Sequence, residues 1–245
     1  MSQKLKLGLT LFALGFLGAL TLLTVSFPIP EEFQQMQPSV FKLFTLVNPT
    51  VFLLISVVVG IALFEKVNLT VPVISSLLEK DCQNANTVFA EQLKFGVSLG
   101  FLAGAVVVLM SSIPALSEQF NAYYSNLEVT LLARFGYGGI TEELLLRFGL
   151  MTLFVWLISK LTKRLNDTTY WVAIILSTAL FALGHFPAVF AAVPNPTTLF
   201  LVFVLVGNSI ISLSCGWLYW KKGLEAAIIA HAFAHVAMVS IGLLL

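Results

Sequence analysis

Charged side chains are scarce in this sequence of 245 residues. Only 10% of the residues are Asp, Glu, Lys or Arg, and 58% are hydrophobic, whereas an average soluble domain carries about 25% charged residues. So few charges cannot cover the surface of a water-soluble fold. The composition therefore excludes an ordinary soluble domain and indicates a protein that lies largely within a membrane.

Cysteines, basic clusters and alternating polar residues are also lacking. The two cysteines, Cys82 and Cys215, do not form a disulfide framework. A net charge of +1 without a basic run gives no sign of a nucleic-acid partner. The apolar runs are continuous and do not alternate with polar residues as the strands of a transmembrane barrel do. What remains is a helical membrane protein.

Several apolar runs reach the length of about 20 residues that a helix needs to cross the hydrocarbon core. We predict an all-α, polytopic bundle of about seven transmembrane helices in a single domain, residues 1–245. The segment 28–48 has mixed polarity and prolines, and we expect an interfacial loop there. The predicted helices cover 7–27, 49–65, 95–115, 133–158, 170–190, 197–219 and 224–244.

Lysine and arginine predict the orientation, because cytoplasmic loops carry an excess of them. With the N-terminus in the cytoplasm, the inner connectors hold most of the basic residues, whereas the outer ones hold Lys42. After seven crossings the C-terminus lies outside. We expect a multi-pass protein of the bacterial inner membrane with a cytoplasmic N-terminus, surrounded by lipid.

Six ionisable residues lie deep in the apolar runs. An ionised group at mid-membrane costs about 3 kcal/mol on insertion scales, so such residues are usually paired or functional. They fall in three predicted helices, within "TEELLLRFG", "FALGHFP" and "HAFAH": Glu142, Glu143, Arg147, His185, His231 and His235.

The spacing suggests how these groups pair. Glu143 and Arg147 are four residues apart, share a helix face and can neutralise each other. Glu142 points in another direction, so its partner should be one of the histidines. Pro187 should break the helix just beyond His185. Asn208, in the sixth predicted helix, is expected to bond between helices.

His231 and His235 project from the same helix face, one turn apart. Two such imidazoles can ligate a metal, donate hydrogen bonds to one substrate oxygen, or bond to neighbouring helices. The pattern alone leaves these alternatives open.

The motifs resemble those of a known family, the CAAX-protease and bacteriocin-processing membrane peptidases. "EELLLR" matches the motif EExxxR, "FALGH" matches FxxxH, and "HAFAH" partly matches Hxxx(N/D). The motifs follow in the family's order, and the resemblance covers a core of about residues 131–240. It implies an intramembrane endopeptidase of the glutamate type.

The resemblance also implies roles for the residues. Glu142 and His185 would activate a water that attacks the scissile carbonyl, and His231 and His235 would stabilise the oxyanion. Glu143 and Arg147 would support them. One departure is His235, where the family commonly has Asn or Asp. Unlike Asn, a histidine donates only from the right tautomer or when protonated, and it also binds metals.

Three other interpretations are compatible with the same residues. A zinc-dependent peptidase could use His185, His231, His235 and Glu142 as ligands, although the pattern HExxH is absent. A proton-coupled transporter or an inactive scaffold would also bury ionisable groups. We favour a peptidase without a cofactor, acting on a peptide or protein that could carry a lipid. We expect its cavity near mid-membrane, with a cytoplasmic mouth.

Overall fold

The computed structural model describes residues 1–29 and 31–244, without the side chain of Glu31; Pro30 of the predicted interfacial segment and Leu245 lie outside the described residues. The described part is all-α, as predicted. Its α-helices are Gln3–Leu20, Pro38–Phe44, Val47–Leu63, Pro72–Leu78, Cys82–Ser111, Ser117–Asn126, Leu131–Ala133, Thr152–Thr162, Asp167–Gly184, Phe186–Ala192, Thr198–Lys222 and Leu224–Gly242.

Seven of the helical stretches in the described residues are long and apolar enough to cross a membrane, which confirms the predicted number. Counting short flanking turns and π-helical parts, these spans are Gln3–Thr24, Pro38–Val67, Cys82–Ser111, Leu131–Thr162, Asp167–Ala192, Thr198–Lys222 and Leu224–Gly242. The protein is therefore an integral, multi-pass membrane protein.

The third span begins well before the predicted residue 95. Asp81 is its N-cap, and its carboxylate accepts a hydrogen bond of 3.0 Å from the backbone N–H of Asn84. This cap satisfies one of the backbone donors that a helix start leaves free. The hydropathy pattern missed the first turns because they are polar and lie outside the apolar run.

The fifth span breaks where Pro187 predicts it. One helix ends at Gly184, and the next begins at Phe186 with Pro187 in its first turn. His185 lies at the junction between the two. Since proline has no N–H to donate, the helix cannot continue unbroken through this point.

The fourth span departs from a regular α-helix. Residues 134–142 and 144–151 form the wider π-type hydrogen bonds from residue i to i+5. Such segments are rare and are found mostly at functional sites. This segment carries Glu142, Glu143 and Arg147.

The third and seventh spans pack closely through small residues. Gly96, Gly100 and Gly104 occur at every fourth position of the third span. A Cβ atom at Gly100 would press into the backbone of Ala230, and one at Gly104 into that of Ala234. This is small-residue packing of the kind that brings membrane helices together. Because Ala230 and Ala234 face the third span, the histidines that follow each of them, His231 and His235, face other parts of the bundle.

One end of the bundle is tied together by polar contacts. Lys4 lies 2.6 Å from Glu65. The buried carboxylate of Glu225 accepts hydrogen bonds from the backbone of Ile74, at 2.9 Å, and from the Gln92 amide, at 3.3 Å. The contacts of Glu225 join the start of the seventh span to the third span and to the short helix Pro72–Leu78. The opposite end carries the connecting helix Ser117–Asn126, which runs between the third and fourth spans.

Candidate active site

The four residues predicted to be catalytic come from three spans and line one cavity. Its volume is about 570 Å³, and Glu142, His185, His231 and His235 are all in its wall. The structure thus brings together residues that are as much as 93 positions apart in the chain, 142 to 235.

Glu143 is the centre of the buried polar contacts. Its side chain is fully buried, and its Oε1 accepts a hydrogen bond of 2.7 Å from His231 Nδ1. The same oxygen lies 3.1 Å from Arg147 Nη1. One carboxylate therefore contacts both the arginine and a predicted catalytic histidine.

Arg147 is held from the other side as well. Its Nη2 donates a hydrogen bond of 2.9 Å to the carbonyl of Ser212 in the sixth span. Its guanidinium also lies 5.2 Å from the centre of the Phe181 ring. The predicted pair of Glu143 and Arg147 is thus present, and it extends into contacts among four spans.

His231 lies between the two glutamates. Its Nδ1 is bonded to Glu143, and its Nε2 lies 3.9 Å from Glu142 Oε2. Because a carboxylate accepts, Nδ1 carries the hydrogen, and in the neutral ring Nε2 presents a lone pair. The sequence spacing predicted a histidine partner for Glu142 but none for Glu143.

His185 is oriented by a backbone carbonyl. Its Nδ1 lies 2.9 Å from the carbonyl oxygen of Phe181. A carbonyl only accepts, so Nδ1 carries the hydrogen and Nε2 is left as an acceptor on the cavity side. This tautomer lets Nε2 accept a hydrogen bond from a molecule in the cavity.

His235 stacks on His231 with ring centroids 5.0 Å apart. Its Nδ1 is buried and has no hydrogen-bond partner among the described residues. A Cβ at Gly138 would lie 2.9 Å from His235 Nε2. The absence of a side chain at position 138 therefore makes room for this imidazole.

The ligands expected for a zinc site were His185, His231, His235 and Glu142. The structure brings a different set of potential ligands together. Within the described residues, one cluster has its potential ligand atoms within 4.8 Å of one another, and it consists of Glu143, Cys215 and His231. His185, His235 and Glu142 are not in it. The Arg147 guanidinium beside Glu143 opposes a second positive charge there.

Most residues of the cavity wall were not predicted as site residues, and three polar ones among them are Arg134, Tyr137 and Asn208. Asn208 was expected to bond between helices, and this was wrong, since its Nδ2 donates to the carbonyl of Val204 in its own helix, at 2.8 Å. Arg134 precedes Glu142 by about two turns, and Tyr137 precedes it by about one turn. Arg134, Gly138 and Glu142 are spaced by four residues, which is typical of one helix face. This spacing could have identified Arg134 as a residue of the same cavity as Glu142.

The cavity extends toward the end of the bundle opposite the N-terminus. Its outer wall includes Leu22, at the end of the first span, Ser111, at the end of the third, and Tyr124 of the connecting helix. A cytoplasmic N-terminus and a cytoplasmic mouth, both expected from the sequence, are therefore incompatible.

Fold and site together define a multi-pass membrane protein with glutamates and histidines gathered in a cavity within the bundle. Residues 125–237 match the family model described as Rce1-like, type II CAAX prenyl endopeptidase. The match covers the part of the chain that carries the motifs, and it confirms the resemblance seen there. The match supports a protease of the CAAX endopeptidase type, with a peptide or protein substrate. Neither the curated proteins nor the solved structures yielded a match to the chain.

Proposed function

We propose that the protein is a glutamate-type intramembrane endopeptidase that hydrolyses a peptide bond without a metal cofactor. The observation that carries this proposal is the convergence of Glu142, His185, His231 and His235 on one cavity. Six ionisable groups in the apolar part of one chain are energetically costly, and such groups are usually paired or functional. A hydrolytic site would give them a function.

Glu142 is the general base in this mechanism. A water held between Glu142 and His185 Nε2 attacks the scissile carbonyl carbon, and Glu142 accepts the proton that the water loses. When the C–N bond breaks, the same proton passes to the leaving amine. Such proton transfer contributes about 10²- to 10⁴-fold to a rate. His185 suits the role of positioning this water because its Nδ1 is occupied by the carbonyl of Phe181.

His231 and His235 stabilise the oxyanion. With Nδ1 bonded to Glu143, His231 donates from Nε2 only as an imidazolium, whose charge the Glu143 carboxylate would offset. His235 has no hydrogen bond to Nδ1, so its ring can donate from Nε2 when neutral. Glu143 is a positioning residue because it acts through His231.

We also propose that the N-terminus is cytoplasmic and that the cavity opens on the outer side. The basic residues at the N-terminal end of the bundle outnumber those at the other end. That end holds Lys4, Lys6, Lys66, Lys80, Lys160, Lys163, Arg164, Lys221 and Lys222. Under the positive-inside rule, this excess supports a cytoplasmic location for that end, which we infer to lie in a bacterial inner membrane. Substrates would then reach the site from outside or from the outer leaflet.

The decisive experiment is an assay of the purified protein in lipid discs. A prenylated CAAX peptide and a panel of unprenylated peptides are incubated with it, and the products are identified by mass spectrometry. Glu142→Gln keeps the shape of the side chain but removes the base, so we expect a loss of about 10²-fold or more. Glu79→Gln, at an exposed position outside the spans, is the matched control and should leave the rate unchanged. Near-normal turnover by Glu142→Gln would refute the assignment.

A further inference from the structure

A basic patch lies at the N-terminal end of the bundle, where the loop between the fourth and fifth spans comes close to the end of the sixth. Its exposed cations are Lys160, Lys163, Arg164 and Lys221, and the loop adds the exposed carboxylate of Asp167. The ion pairs among the described side chains include none of these four cations. Four positive charges and one negative charge leave the patch with a net charge of +3, which the peptidase mechanism does not use.

Stacked aromatic rings bring the two parts of the patch together. Trp220, near the end of the sixth span, stacks on Tyr170 with ring centroids 4.7 Å apart. The same indole meets Trp171 edge-on, with centroids 6.1 Å apart. Lys221 Nζ lies 3.4 Å from the centre of the Trp220 ring, within the range of a cation–π contact. The charge of Lys221 is therefore held beside the first turns of the fifth span.

The loop that carries the other cations is held at the same place. The carbonyl of Arg164 accepts a hydrogen bond of 3.1 Å from Thr169 Oγ1, in the first turn of the fifth span. Lys163 ends the preceding helix in the left-handed conformation, with φ of 55°. Glycine adopts this conformation without steric cost and is the usual residue at such helix ends. A lysine there strains the backbone, and an anion bound to its side chain would offset that strain.

The patch lies at the depth that phospholipid headgroups occupy. Tryptophan and tyrosine collect at membrane–water interfaces, and Trp171 of the patch is 42% exposed. Ile175 follows one turn later on the same helix face and is 56% exposed. A ligand that matches both features has an anionic head at the basic patch and an acyl chain along the outside of the fifth span.

We propose that the basic patch binds the phosphate headgroup of an anionic phospholipid. A soluble phosphate ester carries the same charge but has no acyl chain to lie along Ile175, so the structure favours the lipid. The bound lipid connects the ends of the fourth, fifth and sixth spans. This inference does not depend on the proteolytic function.

The test measures quenching of tryptophan fluorescence by brominated lipids. The protein is reconstituted in phosphatidylcholine vesicles with increasing fractions of brominated phosphatidylglycerol, and each variant is normalised to its signal in unbrominated lipid. We expect wild-type protein to prefer phosphatidylglycerol over phosphatidylcholine by about a hundredfold, since each basic residue near a membrane surface contributes about fivefold. Arg164→Gln combined with Lys221→Gln should lower this preference by about 25-fold.

The matched control is Lys6→Gln combined with Lys80→Gln. It removes the same number of charges from the same end of the bundle, in the first span and in the loop before the third. This control should keep the wild-type preference. An equal loss in the control, or a wild-type protein without a preference, would overturn the inference.

Lys163→Gly separates lipid binding from a structural role of this lysine. Because glycine removes the left-handed strain, the melting temperature in pure phosphatidylcholine should stay the same or rise. The preference for phosphatidylglycerol should nevertheless fall about fivefold. Excess glycerol phosphate should leave the quenching by brominated phosphatidylglycerol unchanged. Competition by this soluble ester, or an unchanged preference in Lys163→Gly and in the Arg164 and Lys221 double variant, would show that the patch is not a lipid site.

Discussion

At the scale of single residues, Glu143 connects the stability of the bundle with the orientation of the site. Its Oε1 contacts both His231 and Arg147, and all three side chains are buried. If Glu143 only supported Arg147, substitutions at Glu143 would lower the stability of the protein and nothing else. Because His231 is held by the same oxygen, substitutions at Glu143 should also disturb the cavity.

Glu143→Gln tests this coupling. Gln leaves the buried charge of Arg147 unpaired, and breaking a buried ion pair in this way typically costs 3–5 kcal/mol. We expect a clear fall in the melting temperature and a loss of cleavage that persists well below that temperature. The measurements are thermal unfolding in lipid discs and the peptide assay at low temperature, with Glu79→Gln as the control. Full activity of the folded variant would show that Glu143 does not position His231.

His235 distinguishes the hydrogen-bond mechanism from the zinc mechanism. If its imidazole donates to the oxyanion, Asn can replace it, so His235→Asn should keep much of the activity. His235→Ala should lose about 10²- to 10³-fold, the usual effect of a missing oxyanion donor. Stoichiometric zinc in the active protein, lost together with activity in His235→Asn, would favour the zinc mechanism.

At the scale of helices, the arrangement of the site depends on the close contact between the third and seventh spans. Gly100 and Gly104 let the backbone of the seventh span approach at Ala230 and Ala234. This contact fixes the rotation of the seventh span, and His231 and His235 therefore face the cavity. The π-type hydrogen bonds of residues 134–151 set the rotation of the fourth span in a similar way.

Gly100→Val tests the contact between these helices. The added side chain meets backbone atoms of Ala230, which cannot move aside as a flexible side chain can. Overpacking of this kind typically costs 1–3 kcal/mol, and we expect a lower melting temperature together with reduced cleavage. Gly184→Ala is the control, since a Cβ at Gly184 meets nothing within 4 Å, and its melting temperature should stay close to that of the wild type. A Gly100→Val protein as stable as Gly184→Ala would argue against the packing described.

At the scale of the whole molecule, the two ends of the bundle differ in charge and in access. The end with the N-terminus holds most of the basic residues, and the cavity reaches toward the other end. Large apolar side chains are exposed along the outside of the spans, such as Phe52, Ile55 and Val58 in the second, and these would face lipid. The side of the membrane from which a substrate enters the cavity therefore depends on the orientation of the bundle.

Cysteine labelling tests the orientation. Cys82 is exposed at the N-terminal end of the bundle, and Cys215 is buried, so the wild-type chain already carries one reporter. In intact cells, an impermeant thiol reagent should leave Cys82 unlabelled, whereas a Ser125→Cys substitution in a Cys82→Ser background should be labelled rapidly. The reverse pattern would show that the cavity opens to the cytoplasm, where it would meet cytosolic substrates.

The sequence by itself determined the number of spans, the break at His185, and the six ionisable residues on which the site is built. These features are local: hydropathy, proline geometry and the cost of an ionised group in lipid do not depend on which helices are neighbours. Tertiary structure decided which oxygen of Glu143 meets His231, that Asn208 bonds within its own helix, that Arg134 reaches the cavity, and that the cavity extends away from the N-terminus. Those outcomes depend on how each helix is rotated and how closely it approaches its neighbours. The π-type segment and the glycines that face Ala230 and Ala234 set this rotation and approach. They do so through contacts between parts of the chain that are distant in sequence.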